Sequence, residues 1–245
     1  MELVYIGVRA RAETIRMVLR HVGMPFKDTV LTDSEGIAQA KLGAPMEKFP
    51  ILILNSDAHE ESPSSGAGGG AQVITLFESG AIARYIGSQT GLYPIATQPL
   101  VAAHTDGIFD VAQHLMQINT VVNVYSGNTF ETEKSAVFEK INAQFPKLER
   151  IIQSSPTGFF SADKPLIGDF HMFYLLDQII LLETTFLSRT FPALYAFYKR
   201  MLVSSLGLRS YLVERARVGT VGFDKSFIRT KAVEIPYDSL IMEQH

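Results

Sequence analysis

The sequence predicts an α/β domain at the N-terminus followed by an all-helical domain. The chain has 245 residues, which is more than the commonest single domain contains. Up to about Gly87, short apolar β-branched runs alternate with segments of helical period. Beyond Gln98, the apolar residues recur every three or four positions. This change in the period of the apolar residues separates the two domains.

The N-terminal half has the element order β-α-β followed by β-β-α. Residues 2–6 predict a first strand, and the helix after it is predicted to end at Gly23. A weaker strand follows over residues 26–31, and residues 32–46 form a polar connection. Two further strands and a helix complete the order, which is that of a thioredoxin-like domain over residues 1–87.

Two backbone features of this domain indicate a binding site. Pro50 opens the third strand, and it has no N–H for a sheet ladder. The strand is therefore either an edge strand or one that begins in an irregular turn, where a cis peptide bond is expected to fit. Phe49 keeps free backbone groups beside this proline. Glu78 and Ser79 stand where the fourth strand meets its helix, and free amides and the helix dipole attract carboxylates there. A small zwitterionic ligand would suit both features.

The remaining segments differ in composition. Residues 55–71 are rich in serine and glycine and predict a flexible insertion, because neither the lysine nor the helix of a phosphate-binding loop accompanies the glycines. Residues 88–98 predict a linker, and residues 99–212 predict the helical domain. Residues 213–245 have no clear periodicity, so we expect an irregular tail.

Composition excludes several classes of function. The net charge is −3 and the pI is about 6.1, without a basic stripe for nucleic acid. The chain has no cysteine, which excludes disulfides, thiolate metal sites and catalysis by a protein thiol. Asp57 and His59 have no third ligand at metal spacing, so no metal is expected.

The most apolar helix candidate contains Asp177 and Glu183, which disfavours a membrane span, and the N-terminus predicts a strand rather than a targeting segment. We expect a cytoplasmic protein.

Several motifs in a fixed order carry a family resemblance. They are VYIGVRARAE, KFPILIL, FESGAIARYIG, ADKPLIGDFHMFYLLDQI and FPALYAFYKRM. Together they resemble motifs of the cytosolic glutathione S-transferases over roughly residues 1–212. The resemblance implies a thioredoxin-like domain that binds glutathione as a co-substrate, a helical domain with a pocket for a hydrophobic electrophile, and a homodimer.

The resemblance also implies site residues. Tyr5 stands where the tyrosine-using alpha, mu, pi and sigma classes hold their catalytic hydroxyl. The residues implied to bind glutathione are Arg11, Lys41, Lys48, Phe49, Pro50, Glu78, Ser79 and Asp110. Arg11 and Lys41 match positions near the glycyl carboxylate, and the Phe49 backbone matches the partner of the cysteinyl unit. Glu78 and Ser79 match the pair that holds the γ-glutamyl group. Asp110 resembles an aspartate that reaches the neighbouring subunit's glutathione.

Structural interpretations stand beside these roles. A tyrosine in a first strand is usually a packing residue, and the two lysines could be ordinary surface residues. Glu78 could simply complement the helix dipole, and Ser79 could be an N-cap. Asp110 could be an exposed helical carboxylate.

The chain departs from the family pattern at three points. RAR replaces RGR, which places Ala10 in the loop after Tyr5. LIGD replaces the usual Ser/Thr-x-x-Asp capping box, so Leu166 supplies no hydroxyl, a loss of about 1 kcal/mol at that helix start. The tryptophan that many classes place before the lysine equivalent to Lys41 is absent.

The function that the resemblance implies is conjugation of glutathione to hydrophobic electrophiles, as in detoxification, with Tyr5 stabilising the thiolate. A glutathione-dependent isomerase or a peroxidase would use the same site. A non-catalytic carrier or interaction protein would keep the fold without the chemistry. The three alternatives stay open at the level of sequence.

Overall fold

The computed structural model describes residues 1–55, 73–116 and 130–217, together with Tyr237. The predicted insertion, apart from Asn55, lies outside the described residues. Of the predicted tail, residues 213–217 and Tyr237 are described.

The described residues of the N-terminal domain form a four-stranded sheet. Its strands are β1 (Glu2–Ile6), β2 (Lys27–Leu31), β3 (Ile51–Asn55) and β4 (Val73–Phe77), in the spatial order β2-β1-β3-β4. β1 pairs in parallel with β2, whereas β3 is antiparallel to both β1 and β4. Alternate residues such as Leu3, Leu52 and Leu54 are buried in the core. The thioredoxin-like prediction is confirmed.

Pro50 directly precedes β3, and β3 lies between β1 and β4 in the interior of the sheet. The edge-strand alternative is therefore wrong, and the irregular-turn alternative is correct. Pro50 stays outside the ladder, so its missing N–H costs no sheet hydrogen bond. The Phe49–Pro50 peptide bond is cis.

In the described part of this domain, the helices beside the sheet are α1 (Glu13–His21), α2 (Ser34–Leu42) and α3 (Ser79–Thr90). A 3₁₀ turn (Ala10–Ala12) precedes α1. The prediction of a simple polar connection over residues 32–46 is wrong, because α2 lies within it. The Asp33 carboxylate caps α2 by accepting the Gly36 N–H at 2.6 Å. α2 has no buried residue, so it lacks the apolar stripe that would have indicated a helix.

The second domain is helical throughout its described elements. They are α4 (Pro99–Leu115), α5 (Phe130–Gln153), α6 (Ile167–Leu182), α7 (Phe186–Thr190), α8 (Pro192–Leu202) and α9 (Leu206–Arg217). Every residue of α6 is buried, so α6 forms the centre of the domain. None of the helices in the described ranges is both long and apolar enough to cross a membrane.

α9 extends to Arg217, so the prediction of irregular structure from Val213 onward is wrong for residues 213–217. The buried face of α9 includes Leu208, Tyr211 and Leu212, and then Arg215. A buried arginine interrupts the apolar period that sequence patterns depend on.

The backbone N–H groups at the start of α6 are capped without a hydroxyl at Leu166. Asp169 accepts the backbone N–H of Leu166 at 2.9 Å and that of Phe160 at 2.8 Å. These bonds supply the carboxylate half of a capping box. The other half is absent, because Leu166 has no side-chain acceptor for a backbone N–H. The Gly168 N–H instead donates to Thr105 Oγ1 of α4 at 3.0 Å. A hydroxyl from a neighbouring helix thus replaces the missing cap hydroxyl.

One apolar core runs through both domains. It includes residues of the sheet, of α1 and α3, and of the helices from α4 to α9. His21 of α1 makes an edge contact with Phe170 of α6, with ring centroids 4.9 Å apart. The residues around the cavity described below are therefore held in place by a core to which both domains contribute.

Candidate active site

A cavity of about 500 Å³ opens between the end of β1, the turn before β3 and the start of α3. Predicted site residues on its wall are Tyr5, Arg11, Lys41, Lys48, Phe49, Pro50, Glu78 and Ser79. Residues that are distant in the chain meet here because β1 and β3 are neighbours in the sheet and the end of β4 leads directly into α3. The structure brings together all of the predicted residues except Asp110.

The wall of this cavity carries strained backbone. Over the described ranges, the non-glycine residues with positive φ are Ala10 at 29°, Met46 at 57°, Glu47 at 51° and Glu78 at 64°. The last three line the cavity, and Ala10 precedes Arg11, which also lines it. Left-handed conformations cost an L-residue about 1–3 kcal/mol and concentrate at functional sites. The strain marks this cavity as the candidate active site.

Glu78 and Ser79 present the N-terminus of α3 to the cavity. Glu78 is the N-cap residue, and its exposed side chain makes no capping hydrogen bond. Ser79 is the first helical residue, so the N-cap interpretation of Ser79 is wrong. The free amides at the start of α3 and the positive end of its dipole favour a bound carboxylate.

Tyr5 lies at the inner wall with 5% of its surface exposed. Its hydroxyl oxygen accepts the backbone N–H of Arg11 at 3.3 Å. Burial raises the pKa of Tyr5, and this effect outweighs the opposing hydrogen bond from Arg11 and the charges of Arg11 and Arg16. The phenol therefore stays protonated at neutral pH, and the accepted hydrogen bond leaves its own proton available to a ligand.

Charges of both signs line the cavity. Arg11, Lys41 and Lys48 are exposed cations on its wall, and Glu47 and Glu78 are exposed carboxylates. Such a wall suits a ligand that carries both carboxylate and ammonium groups.

Asp110 lies on α4, outside the cavity lining. Its carboxylate pairs with Arg84 Nη2 at 3.1 Å, and 59% of its side chain is exposed. Arg84 also donates to Asp106 Oδ1 at 2.6 Å. Within one chain, Asp110 therefore does not join the other predicted residues.

The sequence analysis missed several residues in and around the site. Met46 and Glu47 line the cavity in left-handed conformations, although neither is the Gly or Asn that usually indicates one. Arg16 is fully buried, with its Cζ atom 5.9 Å from the centroid of the Tyr5 ring. Its position on the buried face of α1 was the available signal, because a buried arginine needs partners.

No group of three or more His, Asp or Glu side chains within residues 1–55, 73–116 and 130–217 could hold a metal ion. Asp57 and His59 lie outside the described residues.

The fold and the cavity together define a class of protein: a thioredoxin-like domain with a ligand site at the cis-proline turn, joined to a helical domain. Residues 116–215 match a family model described as the C-terminal domain of glutathione S-transferase.

Curated relatives agree with this match. The chain is 26% identical over 223 residues to the class-mu 28 kDa glutathione S-transferase isozyme of Schistosoma japonicum, covering 88% of this chain and 98% of that protein. It is 23% identical over 204 residues to human glutathione S-transferase A2, covering 82% of each.

Solved structures show the same fold. A sigma-class glutathione S-transferase from Fasciola hepatica aligns with a TM-score of 0.67 at 22% identity, covering 87% of this chain and 95% of that one. The enzyme from Ascaris lumbricoides aligns with a TM-score of 0.69 at 21% identity, with coverage of 87% and 96%. The family model, the curated relatives and the solved structures all support the resemblance to the cytosolic glutathione S-transferases, and the relatives are named as transferases. The predicted resemblance and the predicted enzyme class are therefore confirmed.

Proposed function

We propose that this protein conjugates glutathione to hydrophobic electrophiles, and that Tyr5 stabilises the glutathione thiolate. One observation carries the proposal. Tyr5 lines the cavity with a protonated hydroxyl whose oxygen already accepts the Arg11 N–H. Because the oxygen takes part in that bond as an acceptor, its proton remains available for donation, which is what a thiolate requires.

The charges on the cavity wall support glutathione as the bound thiol. Glutathione carries two carboxylates and one ammonium group at neutral pH. Arg11 and Lys41 would bind the glycyl carboxylate, and the free amides at the start of α3 would bind the γ-glutamyl carboxylate. The carboxylate of Glu78 would pair with the ammonium group. Phe49, with Lys48 and Pro50 on either side, would pair through its backbone with the cysteinyl unit.

The energetics suit this role. A free thiol with a pKa of about 8.5 is only a few per cent ionised at pH 7. Lowering that pKa by about two units requires about 2.7 kcal/mol of preferential stabilisation of the anion. A hydrogen bond to a charged partner contributes about 1.5–3 kcal/mol, so one phenol can provide much of it.

The reaction then has simple steps. The thiol proton leaves to solvent, and Tyr5 donates its hydrogen bond to the sulfur anion. The sulfur lone pair forms a bond to the electrophilic carbon, and the leaving group departs with its bonding electrons. The protein takes part as a hydrogen-bond donor and an electrostatic host, with no covalent protein intermediate.

The same resemblance favours a cytosolic homodimer. Asp110 supports this proposal, because it lies outside its own chain's cavity and is largely exposed. It would then reach the glutathione of the neighbouring subunit. Glutathione-dependent isomerisation or peroxide reduction in the same cavity, and a non-catalytic carrier role, are the alternatives that the following experiment addresses.

The test is the conjugation of glutathione to a chloronitrobenzene by the wild type and by Tyr5→Phe. We expect kcat to fall about tenfold or more near pH 7, because the bound thiol returns toward its free pKa. The ultraviolet absorbance of the bound thiolate, followed against pH, measures that pKa directly.

Tyr93→Phe is the matched control. It removes a hydroxyl that bonds to Asp106 at 2.7 Å, away from the cavity, and it should leave both measurements unchanged. If Tyr5→Phe had the same turnover and the same thiol titration as the wild type, the role of Tyr5 would be refuted. Glutathione binding without conjugation would favour the carrier, and activity on organic hydroperoxides alone would favour the peroxidase.

A further inference from the structure

A cluster of charged side chains lies buried behind the loop that follows Tyr5, where α1, α6 and α9 meet. Its members are Arg9, Glu13, Arg16, Asp28, Asp177 and Arg215. All except Asp28 are buried. Buried charges are costly unless they are paired, and here each sign compensates the other. The catalytic proposal uses none of these groups.

Arg215 of α9 is the centre of the cluster. Its Nη1 donates to Glu13 Oε1 at 2.5 Å, and its Nη2 donates to Asp177 Oδ2 at 2.8 Å. Its backbone carbonyl accepts Arg9 Nη2 at 3.1 Å. Arg9 and Glu13 are the two ends of a short segment, residues 9–13. A single residue of α9 therefore holds that segment at both ends.

Tyr237 completes the surroundings of Arg215. It is 2% exposed, and its hydroxyl donates to Asp177 Oδ1 at 2.7 Å. The same hydroxyl accepts a hydrogen bond from Arg215 Nη2. The tyrosine thus holds Nη2 of the guanidinium, whereas Glu13 holds Nη1.

Ala10 and Arg11 lie between the two held ends of this segment, and Arg11 contacts Tyr5. Arg11 donates its backbone N–H to the Tyr5 hydroxyl at 3.3 Å. Ala10 before it has a φ of 29°. An L-residue keeps a left-handed conformation when its surroundings impose it. The contacts of Arg215 with Arg9 and Glu13 are such surroundings, because they hold the chain on both sides of Ala10.

We propose that Arg215 and Tyr237 are positioning residues for the reaction: by holding residues 9–13, they fix the Arg11 N–H and through it the orientation of the Tyr5 hydroxyl. The inference rests on the proposed function, because it concerns the hydroxyl that would meet the thiolate. It extends the site to residues of α9 and the C-terminal region that do not line the cavity.

Tyr237→Phe is the decisive variant, because replacing Arg215 leaves Glu13 and Asp177 buried without their cation and can prevent folding. The full-length protein is assayed with glutathione and a chloronitrobenzene. We expect kcat to fall about threefold to tenfold, since the variant loses the hydrogen bonds of this hydroxyl to Asp177 and Arg215 and so weakens the hold on residues 9–13. KM for glutathione should stay within about twofold, because no cavity residue changes.

A double-mutant cycle with Tyr5→Phe separates positioning from stability alone. If Tyr237 acts through the Tyr5 hydroxyl, Tyr237→Phe should change kcat less than about 1.5-fold once that hydroxyl is absent. Additive effects, in which Tyr237→Phe lowers kcat equally in both backgrounds, would overturn the proposal. An unchanged kcat in the Tyr237→Phe single variant would overturn it as well.

Tyr198→Phe is the matched control. Tyr198 also donates its hydroxyl to Asp177 Oδ1, at 3.0 Å, but it lies on α8. We expect a similar loss of thermal stability from both variants and a fall in kcat only with Tyr237→Phe. Equal falls in kcat would assign the effect to Asp177 rather than to Tyr237 and would refute the positioning role. Failure of the proposed function is distinct, since Tyr5→Phe itself would then leave kcat unchanged.

Discussion

At the scale of single residues, His171 shows how burial sets a protonation state. It is 4% exposed on α6 and stacks on Phe109, with ring centroids 4.1 Å apart. Its Nε2 lies 2.9 Å from Gln113 Oε1, and its Nδ1 lies 2.7 Å from Thr14 Oγ1. An amide oxygen only accepts, so Nε2 carries the proton and Nδ1 accepts the threonine hydroxyl. The neutral ring is thereby satisfied at both nitrogens.

This environment makes the stability of the fold depend on pH. Burial, and secondarily the charge of Arg84, lowers the pKa of His171 to about 3. The unfolded histidine binds a proton below about pH 6.5, whereas the folded one does not, so stability falls as pH decreases from about 6.5 toward 3. At pH 5.0 this amounts to about 2 kcal/mol relative to pH 7.5. We expect His171→Asn to remove that part of the pH dependence.

Urea unfolding of both proteins at pH 7.5 and 5.0 measures the difference. His104→Asn, which replaces an exposed histidine of α4, is the control and should behave as the wild type does. Equal pH dependence in the wild type and in His171→Asn would contradict this account.

At the scale of elements, the start of α6 depends on a residue of another helix. Thr105 is fully buried, and its hydroxyl accepts the Gly168 N–H at 3.0 Å. Thr105→Val keeps the shape of the side chain but leaves that buried N–H without its acceptor. We expect the free energy of unfolding to fall by about 1–3 kcal/mol, as measured by urea denaturation. Thr97→Val, at an exposed threonine, should be close to neutral. Equal stability of the two variants would refute the shared cap.

The same elements show how far the sequence could predict the structure. β1, α1 and the junction at Ser79 were predictable because their apolar residues follow a clear period. α2 was missed because it buries nothing, and the end of α9 was missed because its buried face includes Arg215. The meeting of Thr105 with Gly168 joins positions 63 residues apart, so no local pattern could indicate it. For the cavity, the family resemblance predicted Tyr5 and Glu78 but not the strained residues Met46 and Glu47.

At the scale of the whole molecule, the close approach of α9 to α1 ties the helical domain to the N-terminal one. A Cβ atom on Gly207 would lie far inside contact distance of the Arg20 carbonyl oxygen and 3.1 Å from its carbonyl carbon. Both atoms belong to the backbone of α1, which cannot yield as a flexible side chain does. The absence of a side chain at Gly207 therefore lets α9 place Arg215 against Glu13 of α1.

We expect Gly207→Ala to lower the free energy of unfolding by about 1–3 kcal/mol, because α9 must move away from α1 to admit the methyl group. Gly107→Ala is the matched control, since Gly107 also lies in a helix, α4, and its added Cβ meets nothing within 4 Å. The control should gain up to about 1 kcal/mol from helix propensity. Urea unfolding followed by far-ultraviolet circular dichroism and by tyrosine fluorescence measures both. In the wild type the two transitions should coincide, because one core joins the two domains. If Gly207→Ala were as stable as Gly107→Ala, the contact between α1 and α9 would not be as tight as the structure shows.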